Sequence, residues 1–371
     1  MDTVTRETVE IGGFFEYPDH FPSPGKKSVF SYLTDSPSLP KDRKTVFVRD
    51  GRQAIYSVLQ HNQRLLKNSN CYLPAYICKS MIQPFSDIKM KVRFYGHTAP
   101  LKPVIDYGLK NSLFLINDLF GVHGLSEKEI LELDRNGNFI ILDISHSVFD
   151  PSRIKFSAKH LYTIASLRKV FPICDGGIVY SSDPSFNPEL SNPAGWEPIL
   201  EAMILKRNYP NNKKVQNSHR IKTHYRRLYE DYSKKKDLPL NKTEKIPEVS
   251  ITTLKNLNFL EIRKRRQTNL EHIYSYLAKK NQLFHLRSIR SPFVAPVLFK
   301  DNKRRNDCRN QLIARNLFPP LHWDIPRDVP QAFAYEHNIS GRLLSIPIDQ
   351  RYNPDSYGDT CKLFLKNQNP R

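Results

Sequence analysis

A carboxylate and an amine stand 26 positions apart in this chain, each closing an apolar run. FIILD (139–143) ends on Asp143. LYTIASLRK (161–169) ends on Lys169, just before a loop that carries Asp175, Gly176 and Gly177 into GIVYS (177–181). The pair suits pyridoxal phosphate (PLP). A lysine amine holds that cofactor as a Schiff base, and a carboxylate keeps the pyridine nitrogen protonated so that the ring can withdraw electrons. Each residue also has a plainer reading. Asp143 could be an ordinary strand-end aspartate or a helix cap, and a lysine is by default a surface lysine. Its place before a glycine-rich turn between two core strands favours a chemical role for Lys169.

The elements that must position this pair follow from hydrophobic periodicity. TVFV (45–48) predicts a strand, and a helical stripe (Ile55, Val58, Leu59, Leu65, Leu66) starts at Gly51. Strands at 71–73, 90–95, 112–117, 139–143, 161–165 and 177–181 alternate with helices near 76–85 and 126–134. Strands separated by helices predict βαβ units and a mostly parallel sheet, with functional loops at the carboxyl ends of the strands. Residues 1–44, rich in proline and aromatics, read as an irregular N-terminal arm. Residues 45–250 read as a large cofactor-binding domain with a basic helical segment at 195–250, including a proline-bounded spacer at 238–247. A long helix over 252–280 begins the remainder, 251–371. It continues as strand (292–299), helix (303–316), irregular PPLHWDIP, strand (342–348) and final helix (354–366), a small α+β domain.

Bulk properties narrow the class. No run of about 18 apolar residues predicts a membrane span, and the N-terminus lacks the basic start and apolar core of a signal peptide. Five scattered cysteines without CxxC spacing argue for reduced cytoplasmic thiols, against a disulfide framework or a zinc site. The formal charge is +20, and residues 206–236 hold eleven Lys or Arg against Glu230 and Asp231. Such a run is either a solvated helical face or a surface facing polyphosphate. No helix-turn-helix, zinc-finger or RNA-recognition pattern accompanies it, which argues against nucleic acid.

Several segments together resemble one family, the DegT/DnrJ/EryC1/StrS sugar aminotransferases of the fold-type I PLP enzymes. RDGRQAIYSVL (49–59) is similar to its glycine–threonine–x–alanine–leucine helix start. YLPAYICKSMIQPF (72–85) with VRFYG, NDLFGVHG (117–124), LDISH (142–146) and SLRKVFPICDGG (166–177) resemble successive family segments. NLFPPLHW (316–323) and LLSIPIDQRYNPDSY (343–357) resemble its terminal ones. The resemblance implies an α/β fold-type I architecture, a homodimer, and a nucleotide-linked keto-sugar aminated with an amino-acid donor such as glutamate. It places Asp143 on the pyridine nitrogen and His146 near the ring's oxygen or face. Ser166 and the amides of Gly51 and Arg52 fall to the phosphate, and Tyr76 to ring stacking, because Cys78 occupies the aligned aromatic position. Lysine at 169, where the family's dehydratases carry histidine, implies transamination. The family's glycine–tyrosine–asparagine–tyrosine–arginine stretch is missing, and the basic segment stands in its place.

Two other functions compete. One is PLP chemistry on an amino or oxo acid, for which Arg342, entering the terminal strand, offers a carboxylate anchor or else a surface arginine. The other is a non-catalytic basic binding protein on the same scaffold. Retention of both Asp143 and Lys169 speaks against the latter.

Overall fold

The computed structural model describes residues 10–18, 27–35, 40, 43–209, 218–236, 238–358 and 362–363. The arm read as irregular contains two ordered pieces, β1 (Ile11–Gly12) and α1 (Val29–Thr34). The Ser28 side chain accepts from the Ser31 amide and so caps α1, a signal the surrounding composition obscures.

Strand and helix then alternate as the periodicity predicts. β2 (Lys44–Val48) leads into α2 (Gly51–His61), and β3 (Cys71–Pro74) into α3 (Lys79–Asp87). β4 (Val92–Tyr95) precedes the short antiparallel pair β5 (His97–Thr98) and β6 (Lys102–Pro103). β7 (Leu113–Asn117), α4 (Glu127–Arg135), β8 (Phe139–Asp143), α5 (Pro151–Lys155), β9 (Leu161–Ser166) and β10 (Gly177–Ser181) complete the series.

One seven-stranded sheet has the order β2-β10-β9-β8-β7-β3-β4. The strands from β9 to β4 run parallel, and β10 is antiparallel to both of its neighbours. Its middle strands read as unbroken apolar runs because both faces are covered. Successive residues serve opposite faces. Leu115, Ile141, Ile164 and Val179 pack with Ile55, Leu59 and Phe85 of α2 and α3. Their chain neighbours Ile116, Leu142, Ala165 and Ile178 pack with Ile130 of α4 and with more C-terminal residues.

The antiparallel β10 has a consequence for the site. It starts at the edge where β8 and β9 end, and Gly177 pairs with Ser166 there. The loop bearing Lys169 therefore turns back on that edge. Gly177 is required: a Cβ on it would lie 2.6 Å from the Asp50 backbone.

Beyond β11 (Leu190–Ser191), α6 (Glu197–Asn208) and α7 (Ser218–Lys236) form a helical pair. β12 (Thr243–Glu244) then runs parallel to β11. The single helix expected over 252–280 is two, α8 (Glu248–Asn256) and α9 (Phe259–Ser275). Asn258 causes the break, its side chain accepting from the Leu260 and Glu261 amides to start a new helix. β13 (Val294–Leu298), α10 (Asn302–Ile313), β14 (Leu317–Phe318), α11 (Ala334–Arg342) and β15 (Leu343–Pro347) follow. β15 pairs antiparallel with β13, and β14 pairs parallel with β1. α11 lies where no helix was expected. The final helix begins as a 3-10 turn, Pro354–Tyr357, and most of its remaining expected span lies outside the described residues. Among the described residues no helix is long and apolar enough to cross a membrane.

Candidate active site

Asp143 ends β8 and is 8% exposed. Its Oδ1 accepts from the Ser145 amide at 2.7 Å and the Ser145 hydroxyl at 2.5 Å. Ser145 Oγ in turn accepts from the Ser166 amide at 2.8 Å, which ties the ends of β8 and β9 together. Asp143 Oδ2 has no partner among the described residues. Asp143 lines a small cavity of about 70 Å³ with Gly51, Arg52, Ser166, Arg168 and Lys169.

Lys169 ends the 3-10 turn Leu167–Lys169. Its Nζ stands 5.8 Å from the centre of the Trp323 ring and is in no ion pair among the described residues. His146 is buried beside it. The Phe120 amide donates to His146 Nδ1 at 3.2 Å, so the neutral ring carries its proton on Nε2, which is buried without a partner among the described residues. Burial, and then the neighbouring charges of Lys169 and His322, hold the His146 pKa well below its ordinary value. His322 is pushed down to about 3 by burial and Lys169, and its Nδ1 meets Ser345 Oγ at 2.8 Å.

An aromatic wall surrounds these groups. His146 stacks on Phe293 at 3.8 Å and lies 5.5 Å from Trp323. Tyr76 is fully buried, donates its hydroxyl proton to the His322 carbonyl, and packs 5.7 Å from Trp323. Tyr76, expected to stack on the cofactor ring, thus reaches Lys169 through Trp323, the residue that faces the amine. Lys169 also lines a larger cavity of about 500 Å³, walled by Gly12–Phe15, α6, α7, α10 and the start of β13.

The phosphate side differs from expectation. The Asp50 side chain accepts from the Arg52 amide at 2.9 Å and the Gln53 amide at 3.0 Å. The Arg52 amide is therefore occupied, because an N-cap carboxylate takes the first free N–H groups of its helix. Gly51 contributes closeness instead, since a Cβ there would lie 3.0 Å from Ser166 Cβ. The Arg52 guanidinium donates to Gln83 Oε1 at 3.1 Å and pairs with Asp50 at 3.4 Å.

Behind the cavity lies an ion-pair network that sequence reasoning missed. Lys236 of α7 bridges Asp50, at 3.1 Å, and Asp175. Asp175 also takes Arg49 at 3.1 Å and the Tyr232 hydroxyl. Burial would raise the Asp50 pKa, but Lys236 and Arg52 outweigh it and hold the group ionised. Lys236 is depressed by burial and Arg168. Nothing in the run KKK distinguishes its last lysine.

Arg342 is not brought to the site. Its Nε donates to the Phe299 carbonyl at 2.7 Å and its Nη1 to Asn338 at 2.9 Å, and it lines neither cavity. The chain between β15 and Phe299 uses it as a backbone tie.

No family model matches the sequence, and no curated protein does. Solved structures do match. DesV of S. venezuelae, solved with a ketimine intermediate, superposes at a TM-score of 0.61 with 16% identity, over 94% of this chain and 90% of that one. A DegT DnrJ EryC1 StrS aminotransferase from Brucella abortus gives 0.60 and 12% over 91% and 88%. The sugar aminotransferase CalS13 from Micromonospora echinospora gives 0.59 and 11% over 95% and 93%. The chain has their fold. It is the fold-type I PLP-transferase architecture, with a mainly parallel seven-stranded sheet, as the sequence resemblance implied. Within that fold, the edge bearing Asp143, Ser166 and Lys169 is where strands β8 and β9 deliver their loops, the usual place for ligands in open α/β sheets.

Proposed function

We propose that this chain is a PLP-dependent aminotransferase that aminates a nucleotide-linked keto-sugar, with an amino acid such as glutamate as donor. One observation carries the reading. Three groups around one strand edge have no hydrogen-bond or ion-pair partner among the described residues: Asp143 Oδ2, the His146 Nε2 proton and the Lys169 amine. By chemical type they would suit the pyridinium nitrogen, ring oxygen and aldehyde carbon of PLP, and buried polar groups are seldom left unpaired without a reason.

PLP supplies an electron sink when bound. The chain's residues supply the rest. Asp143 Oδ2 would keep the ring nitrogen protonated, with Ser145 fixing the carboxylate through Oδ1. His146 donates from Nε2. Lys169 would hold the cofactor through its amine, and the same amine would serve as the base that moves the substrate proton. Ser166, Arg52 and Arg168 face the phosphate, with Gly51 allowing close approach. Trp323, Tyr76 and Phe293 exclude water from the amine. The cavity of about 500 Å³ falls within the range of roughly 300–1,000 Å³ common for small-molecule sites. Its cationic lining suits a diphosphate. We take the protein to be a cytoplasmic homodimer, on the resemblance alone for the dimer.

The test is the visible spectrum of the purified protein with PLP, beside Lys169→Ala. A band characteristic of lysine-bound PLP, absent from the variant and bleached by glutamate, is the expected result. Identical spectra for the two proteins, with no uptake of PLP, would overturn the reading.

A further inference from the structure

α10 places two arginines that form no ion pair among the described residues. Asp301 caps this helix by accepting from the Arg304 amide at 2.8 Å, and Cys308 and Leu312 hold it to the core. That orientation carries Arg305 and Arg309, one turn apart on the same face, inward with them. Arg305 is 5% exposed, yet its Nε and Nη1 have no hydrogen-bond partner among the described residues. The Nε of Arg309 is likewise buried and without a partner among the described residues. Asp324 acts on Arg305 through space but forms no ion pair with it among the described residues, and burial and then Arg309 disfavour the charge of Arg305. Unpaired buried guanidinium groups are costly, and replacing one partner-less charge usually gains stability.

The cavity explains the cost. Arg309 lines the same space of about 500 Å³ as Lys169 and Arg168. The acid in that lining, Asp349, is already neutralised by Arg351 at 2.8 Å. We propose that Arg309, supported by Arg305 behind it, anchors an oxyanion of the substrate whose reacting end approaches Lys169. The inference rests on the aminotransferase reading for the identity of that reacting end. A planar guanidinium fork binds carboxylate and phosphate alike. The anion is therefore either the distal carboxylate of a dicarboxylic amino donor or the diphosphate of a nucleotide sugar.

Calorimetric titration of 2-oxoglutarate and, separately, of UDP distinguishes the sources. It is run on the wild type, Arg309→Ala, Arg309→Lys and Arg305→Met, each with and without PLP. At least one probe should bind the wild type. Its affinity should fall about tenfold or more in Arg309→Ala, since a charge-assisted bond is lost, and less in Arg309→Lys. The probe that responds names the source. Arg305→Met should weaken the same probe while raising the melting temperature; a merely structural arginine would lower the melting temperature and leave affinity alone. The PLP band should persist in all three variants. If neither probe binds the wild type, or if Arg309→Ala leaves both affinities unchanged, the anchor is wrong. If the anion responses hold but no protein takes up PLP, the anchor stands and the aminotransferase reading falls.

Discussion

Asp143 is held by one oxygen and open at the other. Ser145 saturates Oδ1 through two hydrogen bonds, so the carboxylate cannot rotate its free oxygen away from the cavity. Asp143→Asn keeps the shape but removes the charge that would pair with a pyridinium. A hydrogen bond to a charged group is worth about 1.5–3 kcal/mol. PLP affinity, read by absorbance titration, should therefore fall roughly ten- to a hundredfold, with the thermal midpoint of the cofactor-free protein little changed. The two buried histidines make a separate prediction. Their folded pKa values lie below the ordinary 6.5, to about 3 for His322, because burial and Lys169 disfavour the cation. The unfolded chain thus binds more protons than the folded one below about pH 6.5. Stability should fall as pH drops from there toward about 3, at up to about 1.4 kcal/mol per pH unit for each histidine. Urea unfolding at several pH values should show this slope, and His322→Asn should flatten it.

α7 shows how an element can be basic for two reasons at once. Arg220, Arg226, Arg227, Lys234 and Lys235 face solvent, while Tyr225 and Tyr232 are buried on the other side. The helix ends on Lys236, whose side chain is 10% exposed and spans two buried carboxylates. Replacing it with methionine leaves Asp50 and Asp175 facing each other, and breaking a buried pair costs about 3–5 kcal/mol. Lys236→Met should lower unfolding free energy by that order in denaturant titration, whereas Lys234→Met should change it by less than about 0.5 kcal/mol. Its neighbour α6 repeats the pattern. Lys206 is buried, donates to the Phe14 carbonyl at 2.6 Å, and is pushed down to about 8 by burial and Arg351. A charge run usually signals a solvated face. Here that reading describes most of α7, and the exceptions pin the helical pair to the N-terminal arm and to the turn before α2.

For the whole molecule, the +20 charge acts at a distance. It should attract an anionic substrate and speed its capture at low ionic strength. With a nucleotide sugar as substrate, kcat/KM should fall by about tenfold between low salt and roughly 0.5 M, as the Debye length shrinks to a few ångström. A neutral keto-sugar should show no such dependence. Stopped-flow measurements across salt would separate the cases.

Legibility in the sequence followed the range of the interactions. The sheet strands were readable because burial on both faces demands an unbroken apolar run. Asp143 and Lys169 were readable because each sits at the end of such a run. The division of the long helix at Asn258 was missed, since one capping side chain outweighed a weak apolar stripe. α11 was missed because AYEHNISGR carries little periodicity. Tyr76 was legible as a buried aromatic, but the choice of Trp323 to face Lys169 was not. It depends on PPLHW packing against His146 across nearly half the chain.

The sequence by itself thus determined the alternation of strands and helices and the acid–amine pair at one strand edge, since both arise from local patterning. Tertiary structure decided which of the 57 lysines and arginines are buried. Lys236 meets two carboxylates, Arg342 ties down a carbonyl, and Arg305 and Arg309 form no ion pair among the described residues. A cation's charge is fixed by its chemistry, but its dielectric surroundings and partners are set by residues far away along the chain.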